Sequence, residues 1–183
     1  MAKQYQALQE EHQRFISAQK IFFVGTAAAS GSVNISPKGM NTFKVISSTR
    51  VLWLNVTGSG NETAAHVHEN PRMTMMFVSF TDAPLILRIY GNARVVHQAD
   101  PEWDAMIASF DAFPGVRQIF DISVHLVQTS CGMSVPLMDY VGEREQLNQW
   151  ATAKGEQGIQ AYWAKNNQVS IDGFPTYLIR KKS

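Results

Sequence analysis

Runs of β-forming residues follow one another between residues 20 and 131, and mostly short turns separate them. The runs are KIFFVGTAA, VNIS, NTFKVIS, RVLWLNV, RMTMMFVSF, PLILRIYGNARVVH and DISVHLVQTSC. Between them, the stretches 61–69 and 101–112 have the spacing of short helices. Parallel strands need long crossover connections, whereas antiparallel strands are joined by tight turns. The sequence therefore predicts a mainly β fold of about six or seven antiparallel strands arranged as a barrel.

Helices are predicted on both sides of this β region, because residues 4–18 and 143–166 place apolar side chains at helical spacing. The first stretch carries Tyr5, Leu8, His12, Phe15 and Ile16, and the second carries Leu147, Trp150, Ile159, Tyr162 and Trp163. A chain of 183 residues suits one domain. We expect a single domain over residues 1–183, with a barrel core at about 20–131, an N-terminal helix at 4–18 and a C-terminal helical appendage at about 143–166.

Charge and motif spacing exclude several partners and ligands. Lys and Arg number 16 against 15 Asp and Glu, so the net charge of +1 offers no strong field for nucleic acid or acidic lipid. No apolar stretch approaches the roughly 20 residues that cross a bilayer, and no His, Cys or carboxylate grouping has metal-ligand spacing. Cys131 is the only cysteine, and the sequence starts without a secretory signal. These features predict a cytoplasmic protein without nucleic-acid, membrane or metal partners.

Composition also bears on self-association. Charged residues make up 17% of the chain and hydrophobic residues 45%, whereas about 25% charged residues is usual. This balance indicates surface that is buried against a second copy, although a larger core would give the same composition. We expect a homodimer.

The stretch TGSGNETAAHVHENP, residues 57–71, places a glycine-rich turn directly before a short helix. Ser59, Asn61 and Thr63 offer short polar side chains, and Gly58 and Gly60 let the backbone approach a ligand. A helix start also presents unpaired amides and a positive dipole end. One interpretation of the turn is therefore a phosphate site.

The alternative interpretation of this turn involves no ligand. Ser59 and Glu62 have the S-x-x-E spacing of a capping box, in which side chains satisfy the first amides of their own helix. Glu62 also argues against a phosphate, because it places one anion beside another.

A second candidate lies in VNISPKGMN, residues 33–41, where Lys38 stands between Pro37 and Gly39 in a turn between strands. Its ammonium could reach a phosphate or a ring carbonyl. The alternative is a lysine that is only solvated.

These segments together resemble the pyridoxamine 5'-phosphate oxidase-like family of FMN-binding split barrels. The resemblance covers roughly residues 15–130 and is most specific in VLWLNVTGSGNETAAHVHENPRMTMMF, preceded by SPKG and followed by LRIYGNARVV. It implies a six-stranded antiparallel split β-barrel that dimerises and holds FMN in two clefts between the subunits.

The resemblance also implies a set of cofactor-binding residues. Along the flavin ring and ribityl chain it places Asn34, Ile35, Ser36, Lys38, Asn55, Val56 and Thr57, and around the phosphate it places Ser59, Asn61, Glu62 and Thr63.

This chain departs from the family at the phosphate. The oxidases that make pyridoxal phosphate carry an adjacent Arg-Lys pair where this sequence has Glu62 and Thr63. A phosphate dianion then needs positive charge from elsewhere, and we expect it from Arg88 or Arg94, which share the polar parity of one predicted strand.

The resemblance implies an FMN-dependent oxidoreductase. The segment DGFPTYLIRKKS offers no counterpart to the arginine segment that grips the vitamin phosphate, so we expect a substrate other than vitamin B6. Two alternatives stay open: a non-catalytic flavin-binding or stress-associated dimer, and a split barrel that uses the deazaflavin F420 or haem.

Overall fold

A computed structural model describes residues 2–179, which form one antiparallel sheet and four helices. The strands are β1 (Lys3–Tyr5), β2 (Phe22–Ala27), β3 (Val33–Lys38), β4 (Phe43–Ser47), β5 (Arg50–Val56), β6 (Arg72–Val78), β7 (Ile86–Val96) and β8 (Val116–Ser130). The helices are α1 (Glu10–Ala18), α2 (Glu62–Glu69), α3 (Trp103–Ile107) and α4 (Gln146–Asn166). Across residues 2–179, no helix is both long and apolar enough to cross a membrane.

The strands pair in the order β3-β2-β6-β7-β8-β5-β4, and β1 adds to β8. Every pairing is antiparallel, so the predicted mainly β, antiparallel architecture with flanking helices is confirmed. The described sheet has eight strands, and no pairing closes it between β3 and β4. A count of six barrel strands is therefore not confirmed.

A glycine allows the two longest strands to cross closely. The register of β7 against β8 shifts between Tyr90 and Gly91. A Cβ atom at Gly91 would lie 2.5 Å from Cγ2 of Ile122 and 2.6 Å from the carbonyl oxygen of Ser123. Only a residue without a side chain fits at this point of the sheet.

The main core is built from side chains of the strands together with residues of α1 and α2. Trp53 of β5 stacks on Phe120 of β8 with 4.7 Å between ring centroids, and Phe22 of β2 stacks on Phe77 of β6 at 5.4 Å. The parity predicted for β7 holds, because Leu87, Ile89 and Ala93 are buried while Asn92 and Arg94 are exposed. Alternate residues of β7 from Leu87 to Ala93 therefore face the core.

The N-terminal helix is shorter than the predicted 4–18. Residues 3–5 form β1 against Val127–Thr129 of β8, and the helix begins at Glu10. The ring Nδ1 of His12 accepts the backbone amide of Gln9 at 3.1 Å, which satisfies one free amide at the helix start. Apolar spacing alone did not separate a short edge strand from the helix that follows.

The other helices also differ from prediction in their bounds. α3 covers Trp103–Ile107 rather than 101–112, and α4 begins at Gln146 rather than at 143. Within α4, Gly155 has φ 62° and ψ 174°, which breaks the helix in two. The positive φ is one that glycine adopts without strain.

Candidate functional site

A cleft of about 430 Å³ opens between β3, β5 and the turn that leads into α2. It gathers most of the residues singled out in the sequence. Those that line it are Asn34, Ser36, Lys38, Asn55, Val56, Ser59, Asn61, Glu62 and Thr63. Gly58, Gly60, Trp53, Arg117 and Ile171 complete the lining. The turn and the SPKG segment therefore face one cavity, although about 20 residues of sequence separate them.

Ile35 and Thr57 do not line this cleft. Ile35 lies between Asn34 and Ser36 on β3, so its side chain points to the opposite face, is 70% exposed and borders a different cavity. Thr57 is buried behind the turn, where its Oγ1 donates to the carbonyl of Gly115 and accepts the indole N–H of Trp163. The side chains of Ile35 and Thr57 therefore do not reach this cleft, and the expectation that these two residues lie along the flavin stays a prediction.

Arg88 and Arg94 are also outside the cleft of their own chain. Arg94 pairs with Asp121 at 2.9 Å and with Glu102 at 2.8 Å, so its charge is already compensated. Arg88 donates to Ser130 Oγ at 3.1 Å and borders the same separate cavity as Ile35. Within one chain, neither arginine therefore lies where the missing basic pair is expected, and a role for either at the phosphate stays a prediction.

Arg117 is the cation of the cleft that sequence reasoning missed. It lies near the start of β8, is 4% exposed, and donates to Asn167 Oδ1 at 2.8 Å, Gly60 O at 2.9 Å and Asn55 Oδ1 at 3.3 Å. Its Nε atom is buried and has no partner, and among residues 2–179 it forms no ion pair with a carboxylate. Burial lowers the pKa of the Arg117 guanidinium to about 10. A buried charge without a counter-ion is costly, so the site is set up to receive an anion.

Lys38 is a half-buried residue, which contradicts the interpretation as a solvated turn lysine. Its Nζ lies 5.3 Å from the centre of the Trp53 ring. Burial, followed by the charge of Arg117, lowers the pKa of the Lys38 ammonium from 10.5 to about 8. Two cations thus share the cleft, and the charge of Arg117 disfavours the charged form of Lys38.

The capping-box interpretation of the turn is wrong. The N-cap of α2 is Asn61, and no side-chain hydrogen bond caps this helix. The Oε2 atom of Glu62 instead accepts the backbone amide of Ile171 at 3.0 Å. Asn61 Oδ1 accepts from Asn55 Nδ2 at 3.3 Å, while its own Nδ2 is buried without a partner in the described chain. Among the described residues, the turn therefore brings one unpaired donor, Nδ2 of Asn61, to the cleft.

The structure is that of an antiparallel β protein with a binding cleft between two strands, a turn and a short helix. Two cations, Lys38 and Arg117, line this cleft. The chain belongs to the pyridoxamine 5'-phosphate oxidase family, whose model matches residues 8–131. This confirms the resemblance seen in the sequence.

Individual relatives agree with this assignment. The pyridoxamine 5'-phosphate oxidase family protein ustO of Aspergillus flavus is 31% identical over 93% of this chain and 76% of its own length. A crystal structure of a candidate pyridoxamine 5'-phosphate oxidase from Lactobacillus delbrueckii matches with a TM-score of 0.56 and 17% identity, over 67% of this chain and 94% of that one. A HupZ variant of group A Streptococcus matches with a TM-score of 0.54 and 18% identity, over 67% and 98%. At these identities the structures bear on the fold alone.

Proposed function

We propose that this protein is a flavoprotein that binds FMN in the cleft, with the FMN phosphate at the turn of residues 57–63. In this proposal it acts as an oxidoreductase on a substrate other than vitamin B6. The observation that carries the proposal is Arg117, a buried guanidinium beside this turn that pairs with no carboxylate among residues 2–179. Family membership supports the cofactor class, and the residues of the cleft support its phosphorylated form.

Two charges in the cleft take the place of the basic pair that is absent at Glu62 and Thr63. Arg117 and Lys38 both line the cavity, and each carries a pKa lowered by burial. A phosphate dianion between them would offset the repulsion and the desolvation that lower these pKa values. Charge-assisted hydrogen bonds of this kind contribute roughly 1.5–3 kcal/mol each.

The carboxylate of Glu62 does not oppose the phosphate in this arrangement. Its Oε2 atom is engaged by the amide of Ile171. The buried Nδ2 of Asn61 and the Oγ1 of Thr63, which accepts from Asn34 at 3.2 Å, are the neutral groups closest to the turn. The turn thus receives the phosphate through neutral donors, and the charge comes from other strands.

The rest of the cleft would hold the ribityl chain and ring. Asn34 and Ser36 project from β3 on the same face as Lys38, and Asn55 projects from β5. When bound, FMN supplies hydride transfer at its ring, so no acid-base pair of the protein is required. The protein's part is to bind, orient and shield the cofactor from water.

We also propose a homodimer. Val33 and Ile35 are 72% and 70% exposed on β3, which ends the described path of the sheet. Apolar side chains on an edge strand favour association with a second chain. The low charged fraction of the sequence agrees with this proposal.

Titration of the apoprotein with FMN and with riboflavin tests the proposal, because the two ligands differ only in the phosphate. We expect FMN to bind at least about tenfold more tightly, the equivalent of about 1.4 kcal/mol. The visible spectrum of the purified protein should show two broad flavin bands, whereas one sharp Soret band would favour haem. Equal affinity for the two flavins would refute the phosphate site.

A separate assay addresses the oxidoreductase activity. Anaerobic mixing of the FMN-loaded protein with NADH or NADPH should bleach the flavin bands as hydride reduces the ring, and addition of an electron acceptor should restore them. A flavin that stays oxidised with every donor tried would favour the non-catalytic binding protein.

A further inference from the structure

The C-terminal appendage, defined as α4 together with residues 167–179, packs on the back of the phosphate turn. Asn167 is fully buried directly after α4, and its Nδ2 donates to the carbonyls of Gly58 and Ser59 at 3.2 Å each. One turn earlier, Trp163 Nε1 donates to Thr57 Oγ1 at 2.7 Å. The appendage therefore fixes three consecutive residues of the turn, and all of its residues lie beyond the 8–131 that the family model matches.

The same asparagine also holds the buried cation. Asn167 Oδ1 accepts from Arg117 Nη1 at 2.8 Å, while Gly60 O accepts from the same nitrogen at 2.9 Å. Both acceptors are neutral, so they orient the guanidinium and leave its charge uncompensated. A carboxylate of the same shape at position 167 would bind Arg117 more strongly and neutralise it. It would also replace the Nδ2 donor to Gly58 and Ser59 with an oxygen that cannot donate.

A second contact of the appendage acts on the one carboxylate that lines the cleft. Among the described lining residues only Glu62 is acidic, and the amide of Ile171 binds its Oε2 atom at 3.0 Å. The appendage thus contacts two charged groups of the cleft. Asn167 accepts a hydrogen bond from Arg117, and Ile171 donates one to Glu62.

We propose that Asn167 is a positioning residue that makes the cleft selective for the phosphorylated flavin, and that the C-terminal appendage is an integral part of the cofactor site. Its side-chain amide aligns Arg117 with the turn and keeps that arginine available to a ligand phosphate. This inference rests on the proposed function for the identity of the ligand. It goes beyond that function in assigning the selectivity to a residue that does not touch the flavin.

The test compares N167D with N166D. Both variants exchange an amide for a carboxylate, but Asn166 is exposed, and within residues 2–179 its side chain bonds only to the carbonyl of Tyr162. Binding of FMN and of riboflavin to each apoprotein is measured by quenching of flavin fluorescence. We expect N167D to lower FMN affinity at least about tenfold, equivalent to about 1.4 kcal/mol, with riboflavin affinity within about twofold of the wild type. N166D should leave both affinities within about twofold.

The outcomes separate this inference from the proposed function. If wild-type protein binds both flavins equally, the proposed phosphate site itself fails. If the wild type prefers FMN and N167D keeps the same ratio of the two affinities, the phosphate site stands and the role of Asn167 is refuted. A fall in both affinities by the same factor would show a merely structural role and would also refute the inference.

Hydrogen exchange of the wild type provides a second measurement in case N167D does not fold. The reporters are the amide of Asn167, bonded to Trp163 O at 3.0 Å, and the amide of Ile171, bonded to Glu62. We expect FMN to slow exchange at residues 167–171 at least about fivefold more than saturating riboflavin does. Equal protection by the two flavins would overturn the proposal.

Discussion

The pH dependence of FMN binding tests the role of Lys38 directly. The ammonium of Lys38 has its pKa lowered to about 8 by burial and by Arg117. A phosphate dianion beside it would raise that pKa again, so the complex holds a proton that the free cleft loses above pH 8. FMN affinity should therefore be highest near pH 7–8, because the phosphate loses its second proton at about pH 6, and should fall as the pH rises further.

The lowered pKa of Lys38 sets the size of the change in FMN affinity with pH. Above pH 8, affinity can fall by as much as about tenfold per pH unit until the pKa of the complex is reached. The fall of the Lys38 pKa from 10.5 to about 8 also corresponds to about 3 kcal/mol of lost apoprotein stability at pH 7, since one pKa unit is about 1.4 kcal/mol. Because the folded pKa lies below the unfolded one, that stability returns as the pH rises from 8 towards 10.5.

Lys38→Met separates binding from stability. Removal of the buried ammonium should raise the free energy of unfolding of the apoprotein at pH 7 by about 2 kcal/mol, as measured by urea unfolding. This value allows for the loss of roughly 0.5–1 kcal/mol from the contact with Trp53. FMN affinity should drop about tenfold or more and lose its dependence on pH above 8.

Two controls complete this experiment. Lys38→Arg keeps its positive charge at high pH, so its FMN affinity should not fall above pH 8. Riboflavin carries the same ring without the phosphate, so its binding reports any ionisation of the ring itself. Matching pH profiles for the wild type and Lys38→Met, after correction with riboflavin, would refute the reasoning.

Three further outcomes are expected. Arg117→Met should weaken FMN about 10- to 100-fold in fluorescence titrations and leave riboflavin within about threefold, whereas Arg94→Ala, outside the cleft, should change neither; an unchanged ratio of the two affinities in Arg117→Met would contradict the assignment. Gly91→Ala should destabilise the fold by about 1–3 kcal/mol in urea unfolding because of the contact with Ile122, while Gly25→Ala, where the nearest atom to the added Cβ is 3.8 Å away, should be close to neutral. Light scattering at micromolar concentration should give the mass of a dimer, and a flavin-loaded monomer would refute the proposed association.

The sheet was predictable because its strands alternate in a pattern that the sequence displays directly. Leu87 and Ile89 of β7 face the core at the parity expected for a strand. β1 was not predictable, because it has three residues and two of them are exposed. So short a segment does not show the alternation that identifies a strand. Its partner, β8, is more than 100 residues away.

The turn and Lys38 were recognised as candidates from local chemistry, since glycines and short polar residues before a helix mark a possible anion site. Arg117 could not be recognised this way. Its burial depends on Gly60 and Asn167, which are 57 and 50 residues away in sequence. A signal was nonetheless present, since Arg117 follows the PG turn at 114–115 and precedes a run of strand residues.

Ile35 shows a different limit. Its neighbours Asn34 and Ser36 line the cleft, and the resemblance implied a contact for the whole segment. The alternation of side chains along β3 would have placed Ile35 on the other face. A family resemblance over a run of residues therefore predicts which strand lies beside the ligand. The alternation of side chains along that strand decides which of them face the ligand.

The contacts between the turn and the C-terminal appendage have a consequence for the order of events during synthesis. Thr57 meets Trp163 across 106 residues, and Ser59 meets Asn167 across 108. Every strand has been translated before the ribosome reaches Asn167, so the nascent chain can pair its sheet while the phosphate turn still lacks its support. We expect cofactor loading to be a late step that waits for residues 163–171 to emerge, so that a chain stalled before them would fold its strands and remain colourless.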